Sequence, residues 1–192
     1  MEKVDVDAVE SDAGDSGIER WRLAEPLGTS DLAINRYRLA PGEGLPGGLH
    51  AHADQEEVFV VLSGEATFET LAGDVGVAAG EAVRFAPGEF QSGANGGDGD
   101  LVVLALGAPR DSEDVRIPVA CPECGHGDVR LRTDDGDVRF VCPDCGASRV
   151  PGPCPECGTE DLRVTLGERG AVVVRCTGCA AEFDSPPVRG EW

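Results

Sequence analysis

An all-β fold is predicted: a barrel or sandwich of short strands, followed by two small hairpins of similar design. Three observations predict it. Apolar residues alternate over short runs broken by clusters of Gly, Pro, Asn and Asp, as strands and tight turns require. No stretch carries the period of an amphipathic helix. After Pro118 the composition shifts, and four Cys-x2-Cys pairs follow in two matching copies.

Residues 1–17 carry Glu2, Asp5, Asp7, Glu10, Asp12 and Asp15 among few large apolar side chains, the composition of a disordered, solvated acidic tail. An entry strand is expected from Ile18, where Trp21 and Leu23 alternate with Arg20 and Arg22. Leu32–Leu39 reads as the next strand, turned by Pro41 to Gly44. Val58–Leu62 is apolar at every position, the pattern of a strand covered on both faces. Ala66–Thr70, Val75–Val77 and Val83–Phe85 follow, separated by turns at Gly64, Gly73 and Gly80. After the polar loop Asn95–Asp100, Leu101–Leu106 closes the first unit as a buried strand. The predicted layout is therefore a barrel over 18–107, a linker over 108–118, hairpin units over 119–150 and 151–185, and a terminal tail over 186–192.

Between the turn at Gly44 and the turn at Gly64 lie His50, His52 and Glu57. His50 and His52 have the same parity and project from one face of a strand. Glu57 has the opposite parity, so it joins them only if the chain bends through Ala53, Asp54 and Gln55. Two imidazoles and a carboxylate with open positions suit Fe(II), and also Mn, Ni or Zn.

The spacing Gly44-x5-His50-x-His52-x4-Glu57-x6-Gly64 resembles the first motif of the cupin family. Gly80-x5-Ala86-Pro87-Gly88-x2-Gln91-x3-Asn95 resembles the second. The resemblance covers roughly residues 18–110. It implies a double-stranded β-helix, or jelly-roll barrel, with a divalent metal inside, a small-molecule ligand, and dimerisation through the sheets. This chain departs from the pattern at two places: Ala86 stands where the family usually has Pro, and Gln91 stands where it has His. Gln91 offers an amide oxygen as a weak fourth ligand, or a hydrogen-bond donor in place of an imidazole.

The cysteine pairs are Cys121/Cys124, Cys142/Cys145, Cys154/Cys157 and Cys176/Cys179. Each copy resembles a zinc ribbon, in which two cysteine knuckles flank a β-hairpin. Pairing the knuckles in sequence order gives two four-cysteine sites, each filling a tetrahedral shell around a structural Zn2+. A nested pairing of Cys142/Cys145 with Cys154/Cys157 leaves only eight residues between knuckles, and iron in a rubredoxin-like site is the rival ion. His126 is expected to be a solvated loop residue, and Arg130, Arg132 and Arg139 share the first hairpin.

Asp and Glu number 36 against 16 Lys and Arg, a net charge of −20, and Lys3 is the sole lysine. Such a surface fits a salt-saturated cytoplasm of the haloarchaeal kind, where repulsion is screened and carboxylates hold water. No apolar run is long enough to span a membrane, no apolar signal region opens the chain, and eight cysteines in a reducing compartment point to metal, so a cytoplasmic protein is expected. Two function classes follow. One is a metal-dependent enzyme acting on a small molecule, dioxygenase-like or isomerase-like, with catalytic residues unassigned. The other is a ligand-sensing barrel whose ribbons contact a protein or nucleic-acid partner. Residues 118–192 lack the basic stripe that nucleic acid favours.

Overall fold

The computed structural model describes residues 1–13, 18–134 and 137–189. In chain order the first unit contains β1 (Asp12–Ala13), β2 (Glu19–Arg22), a one-turn helix α1 (Ala24–Leu27), β3 (Ala33–Leu39), β4 (Ala51–His52), β5 (Glu56–Ser63), β6 (Glu65–Thr70), β7 (Val75–Ala78), β8 (Ala82–Phe85), β9 (Gln91–Asn95) and β10 (Leu101–Ala108). The second contains β11 (Val115–Ile117), β12 (Val129–Asp134), β13 (Asp137–Val141), β14 (Ser148–Arg149), β15 (Leu162–Leu166), β16 (Val172–Cys176) and β17 (Glu182–Phe183).

A six-stranded sheet, β1-β2-β3-β10-β5-β8, and a three-stranded sheet, β7-β6-β9, form the two walls of the jelly roll. All pairings are antiparallel, so alternate residues of each strand turn inward. Leu39, Val61, Phe68, Leu101 and Val103 are completely buried there. Phe68 from β6 meets Phe59 of β5 and Phe85 of β8 at ring-centroid distances of 4.9 and 5.4 Å. That trio joins the two sheets, in tilted arrangements that aromatic quadrupoles favour.

A second core lies outside the barrel. Leu49, Ile117, Val119, Val129, Phe140, Val164 and Val174 form it, with Phe90, Leu131, Leu162 and Phe183 packed around them. Its members come from both hairpins and from the barrel. A five-stranded sheet, β14-β13-β12-β11-β4, runs from the first hairpin into the barrel strand that carries His52. Val115 of β11 pairs with His52 on one side and with Leu131 of β12 on the other. The second hairpin forms its own sheet, β15-β16-β17.

Four expectations need correction. The acidic tail is not free of structure: Asp12–Ala13 pairs with β2, and Asp12 accepts from Arg20 and Arg22. The edge of β2 offers unpaired backbone groups, and two guanidiniums fix the acid beside it. Residues 14–17 of the expected tail lie outside the described residues. The linker over 108–118 contains β11, because β4 would otherwise present an open edge. β5 is not covered on both faces: Phe59 and Val61 are buried, while Leu62 is 53% exposed. Of the terminal tail, Val188 bridges Pro151, and Gly152 N donates to Pro187 O. Residues 190–192 of that tail, and residues 135–136 at the first hairpin tip, lie outside the described residues.

Candidate metal centre

The chain bends at Ala53 and Asp54 between β4 and β5. Ala53 N donates to Asp114 O at 2.8 Å, which holds the bend. This is the break in parity that brings Glu57 round to the histidines. His50, His52 and Glu57 each offer one ligand atom, and those atoms lie within 4.8 Å of one another. The two imidazole rings stand edge to face at 5.1 Å. His52 Nε2 is 3.7 Å from Glu57 Oε1.

Hydrogen bonds decide which ring nitrogens face the site. His50 Nδ1 lies 2.8 Å from Gly48 O. A carbonyl only accepts, so Nδ1 carries the proton and Nε2 keeps its lone pair. His52 Nδ1 lies 2.9 Å from Ser112 Oγ, and the Ser112 hydroxyl donates to Asp54 Oδ1 at 2.6 Å. The serine proton is thereby committed, so His52 Nδ1 is the donor and its Nε2 is also free. Burial pushes the His52 imidazole below its ordinary value, with the Glu57 carboxylate opposing. The neutral ring is the form that ligates.

Gln91 opens β9 and is buried, bridged to His50 through two backbone hydrogen bonds. Its Nε2 donates to Glu57 Oε2 at 3.0 Å. The amide therefore acts here as a donor that orients the carboxylate. An inward donor set of two imidazoles and an oriented carboxylate, with outer nitrogens already satisfied, fits a divalent ion.

These groups sit in the wall of a cavity of about 400 Å³, which Asn35, Tyr37, Gln55, Ser92 and Arg110 also line. Burial pushes the Tyr37 phenol above its ordinary value, partly offset by Arg20. Gln55 is buried and donates through Nε2 to Pro109 O, fastening the segment that carries Arg110 and Ser112 over the opening. The sequence assigned no place in the site to Asn35, Tyr37 or Ser112, and gave Gln55 only a place in the bend. Asn35 and Tyr37 share the parity of buried Leu39, so polar residues on an inward strand face were an available signal. Ser112 had none, being 60 residues from its partner His52. Glu89 and Phe90, which precede Gln91 in the chain, do not line this cavity: Glu89 accepts from Ala86 N, and Phe90 packs on the second core. Asn95 holds its loop through bonds to Leu39 O and Gly99 O.

The eight sulfurs gather into two groups of four, Cys121/Cys124/Cys142/Cys145 and Cys154/Cys157/Cys176/Cys179. Opposed sulfurs are 3.7 and 3.5 Å apart in both groups. A tetrahedron of thiolates at Zn–S distances near 2.3 Å has edges of about 3.8 Å, so both groups fit one ion each. Gly125, Gly146 and Gly158 end three knuckles in the left-handed region, and Ala180 takes that place in the fourth at φ 60°. The His126 imidazole is not part of the four-sulfur group and lies beside Asp128, while its backbone carbonyl accepts from Cys121 N. Arg130 is engaged by Asp114.

Residues 35–107 match the family described as "Cupin domain". An oxalate-binding protein from Thermotoga maritima is 37% identical over 71 residues, which are 37% of this chain and 57% of that protein. The chain thus spans little more than half the length of the curated relative it matches. A sugar phosphate isomerase of the cupin superfamily from Silicibacter pomeroyi superposes with a TM-score of 0.56 at 19% identity, over 75% of this chain and 94% of that one. A polyketide cyclase from Streptomyces resistomycificus gives 0.53 at 20% identity, over 64% and 88%. These two likenesses show a shared fold. No helix among the described residues is long and apolar enough to cross a membrane. The fold is an all-β cupin jelly roll in which residues 35–107 match the cupin domain model, followed by two four-cysteine clusters that fit tandem zinc ribbons.

Proposed function

We propose that His50, His52 and Glu57 hold one divalent ion, of Fe, Mn, Ni or Zn, and that the barrel is a metal-dependent enzyme acting on a small oxygen-rich molecule. The observation that carries this reading is the convergence of three ligand atoms whose outer partners leave both Nε2 lone pairs directed at one point of a 400 Å³ cavity. A bound ion supplies Lewis-acid polarisation and open positions for oxygen donors. The chain supplies the rest. Gln91 keeps the Glu57 carboxylate turned to the site, and Tyr37, still protonated at neutral pH, offers a hydrogen-bond donor to the ligand. Arg110, which lines the cavity beside Asp111 at 3.5 Å, is its one cationic side chain among the described residues, and a carboxylate ligand accords with the binding named for the Thermotoga relative. The ribbons each hold a structural Zn2+, in a reducing cytoplasm.

A second reading is ligand sensing without turnover, with a signal passed to a protein or nucleic-acid partner. The continuous sheet from β4 into the first ribbon favours it. Metal analysis of the purified protein tests the first step: two zinc ions plus a third ion are expected, and His50→Ala with Glu57→Ala should remove only the third. Oxalate and related carboxylates are then titrated calorimetrically and followed by NMR for turnover. Binding without product supports the second reading. Two ions only, in wild type and variant alike, refutes the barrel site.

A further inference from the structure

The imidazole of His50 is held from outside the barrel. Its Nδ1 partner is the Gly48 carbonyl, and the Gly48–Leu49 segment is gripped by the second ribbon. Leu49 N donates to Val164 O of β15 at 2.7 Å. The Leu49 side chain is completely buried in the second core, among Val164 and Val174 of the second ribbon, Val129 and Phe140 of the first, and Ile117 of β11. Gly48 lies so close to the ribbon that a Cβ there would come within 2.8 Å of Val164 O. A second clamp lies nearby: Glu69 accepts from Thr165 Oγ1 at 3.0 Å and from Leu166 N at 3.1 Å.

His52 is held in a parallel way. Its Nδ1 partner, Ser112, lies on the segment leading into the first ribbon, and His52 itself pairs with Val115 of β11. Each histidine therefore takes its tautomer from an oxygen that the C-terminal half keeps in place. Ser112 is also tied to the barrel, through Asp54 and through Gln55, whereas the segment carrying the Gly48 carbonyl is held by the second ribbon.

We infer that the second ribbon is a working part of the barrel metal centre: β15 fixes Gly48 and Leu49, and through them Val164 is a positioning residue for His50. A four-thiolate ribbon of this size folds around its ion, so loss of that ion, or oxidation of its thiolates, removes the clamp. The Gly48 carbonyl then moves, His50 loses its fixed tautomer, and the third ion is held more weakly. This inference rests on the metal reading of the barrel given above.

Two perturbations test it from opposite sides. Cys176→Ser disarms the second ribbon without touching the barrel loop. Gly48→Ala forces β15 away and leaves all eight cysteines intact. Gly42→Ala is the control: its φ of 79° is comparable to the 65° of Gly48, but nothing lies within 4 Å of an added Cβ. Each zinc-loaded protein is titrated with Mn(II), followed by electron paramagnetic resonance, because soft thiolates do not favour that ion. Each is also examined free of the third ion by long-range proton–nitrogen NMR of the imidazoles. Cys176→Ser and Gly48→Ala should weaken Mn(II) binding about tenfold or more, the scale of lost outer-shell support. Both should lose the Nδ1–H signature of His50, and Gly42→Ala should match wild type. Wild-type affinity and tautomer in Cys176→Ser overturn the inference. If Cys176→Ser does not fold, equal behaviour of Gly48→Ala and Gly42→Ala overturns it. A wild-type protein that takes up no Mn(II) sinks the metal centre itself, whereas an unaltered tautomer sinks only the coupling.

Discussion

Asp114 joins three parts of the molecule, and Asp114→Asn tests how much that junction stabilises. Its carboxylate receives both Arg116 and Arg130, each in a two-pronged contact. Arg116 Nη2 lies 2.9 Å from Oδ2, and Arg130 Nε lies 2.7 Å from Oδ1. Its backbone carbonyl holds the bend at Ala53. Hydrogen bonds from Arg116, then from Arg130, hold the carboxyl well below its ordinary value of 3.8, at about 2, against the opposing effect of burial. That interval corresponds to about 2.5 kcal/mol of preference for the folded state. The side chain is 16% exposed, so a modest allowance for solvent brings the figure to about 2 kcal/mol. The sign follows from the depressed value: the stabilisation is complete above about pH 4 and disappears as pH falls toward 2. Metal held by the two four-cysteine clusters would itself be lost in acid, so the comparison belongs at pH 7 with zinc present. Asp114→Asn keeps the shape and removes the charge. Urea unfolding should show a loss of about 2 kcal/mol, and the melting temperature should fall by about 4–8 °C. Arg116 keeps a second partner in Asp128, at 2.7 Å, so Arg130→Met should cost less than Asp114→Asn. A change below about 0.5 kcal/mol, within the range of ordinary surface substitutions, would show that the paired charges only recover their own desolvation.

Three further outcomes are expected. Ser112→Ala should weaken the third ion about tenfold while leaving two zinc ions in place, because His52 loses the acceptor that sets its tautomer; isothermal titration with Mn(II) reads this directly. Phe68→Ala removes the central ring of the barrel trio, which is completely buried, and should destabilise the barrel by about 3–5 kcal/mol in chemical denaturation. Gly146→Ala places a Cβ on a left-handed knuckle residue at φ 76° and should cost about 1 kcal/mol, while Ala180→Gly, which relieves that strain in the fourth knuckle, should gain up to about 0.5 kcal/mol after the extra chain entropy is counted. Competition with a zinc chelator measures both knuckle variants.

The sequence by itself determined the all-β class, the two-copy cysteine repeat and the grouping of its sulfurs, and the bend that brings Glu57 to His50 and His52. Each of these rests on local spacing: parity along a strand, two residues between thiolates, a turn at a glycine. Cys121 to Cys145 and Cys154 to Cys179 assemble within their own hairpins, so the pattern along the chain already contains the contact. What only the tertiary structure decided is everything that joins distant segments. Leu49 has the look of a barrel residue, yet its side chain belongs to a core completed by Val164 and Val174. The stretch 108–118 reads as a polar linker, yet Ser112 orients His52 and Val115–Ile117 forms a strand paired beside the one that bears it. Gln91 reads as either a weak ligand or a hydrogen-bond donor, and only the fold selects the donor, with its amide nitrogen directed at Glu57. A side chain's hydrogen-bond partner across 60 residues depends on which surfaces fold back on each other, and no local period encodes that. The physical reason is the exposed edge of β4 and the apolar faces of two hairpins too small to stand alone. Each lacks cover, and the chain covers one with the other behind His50 and His52.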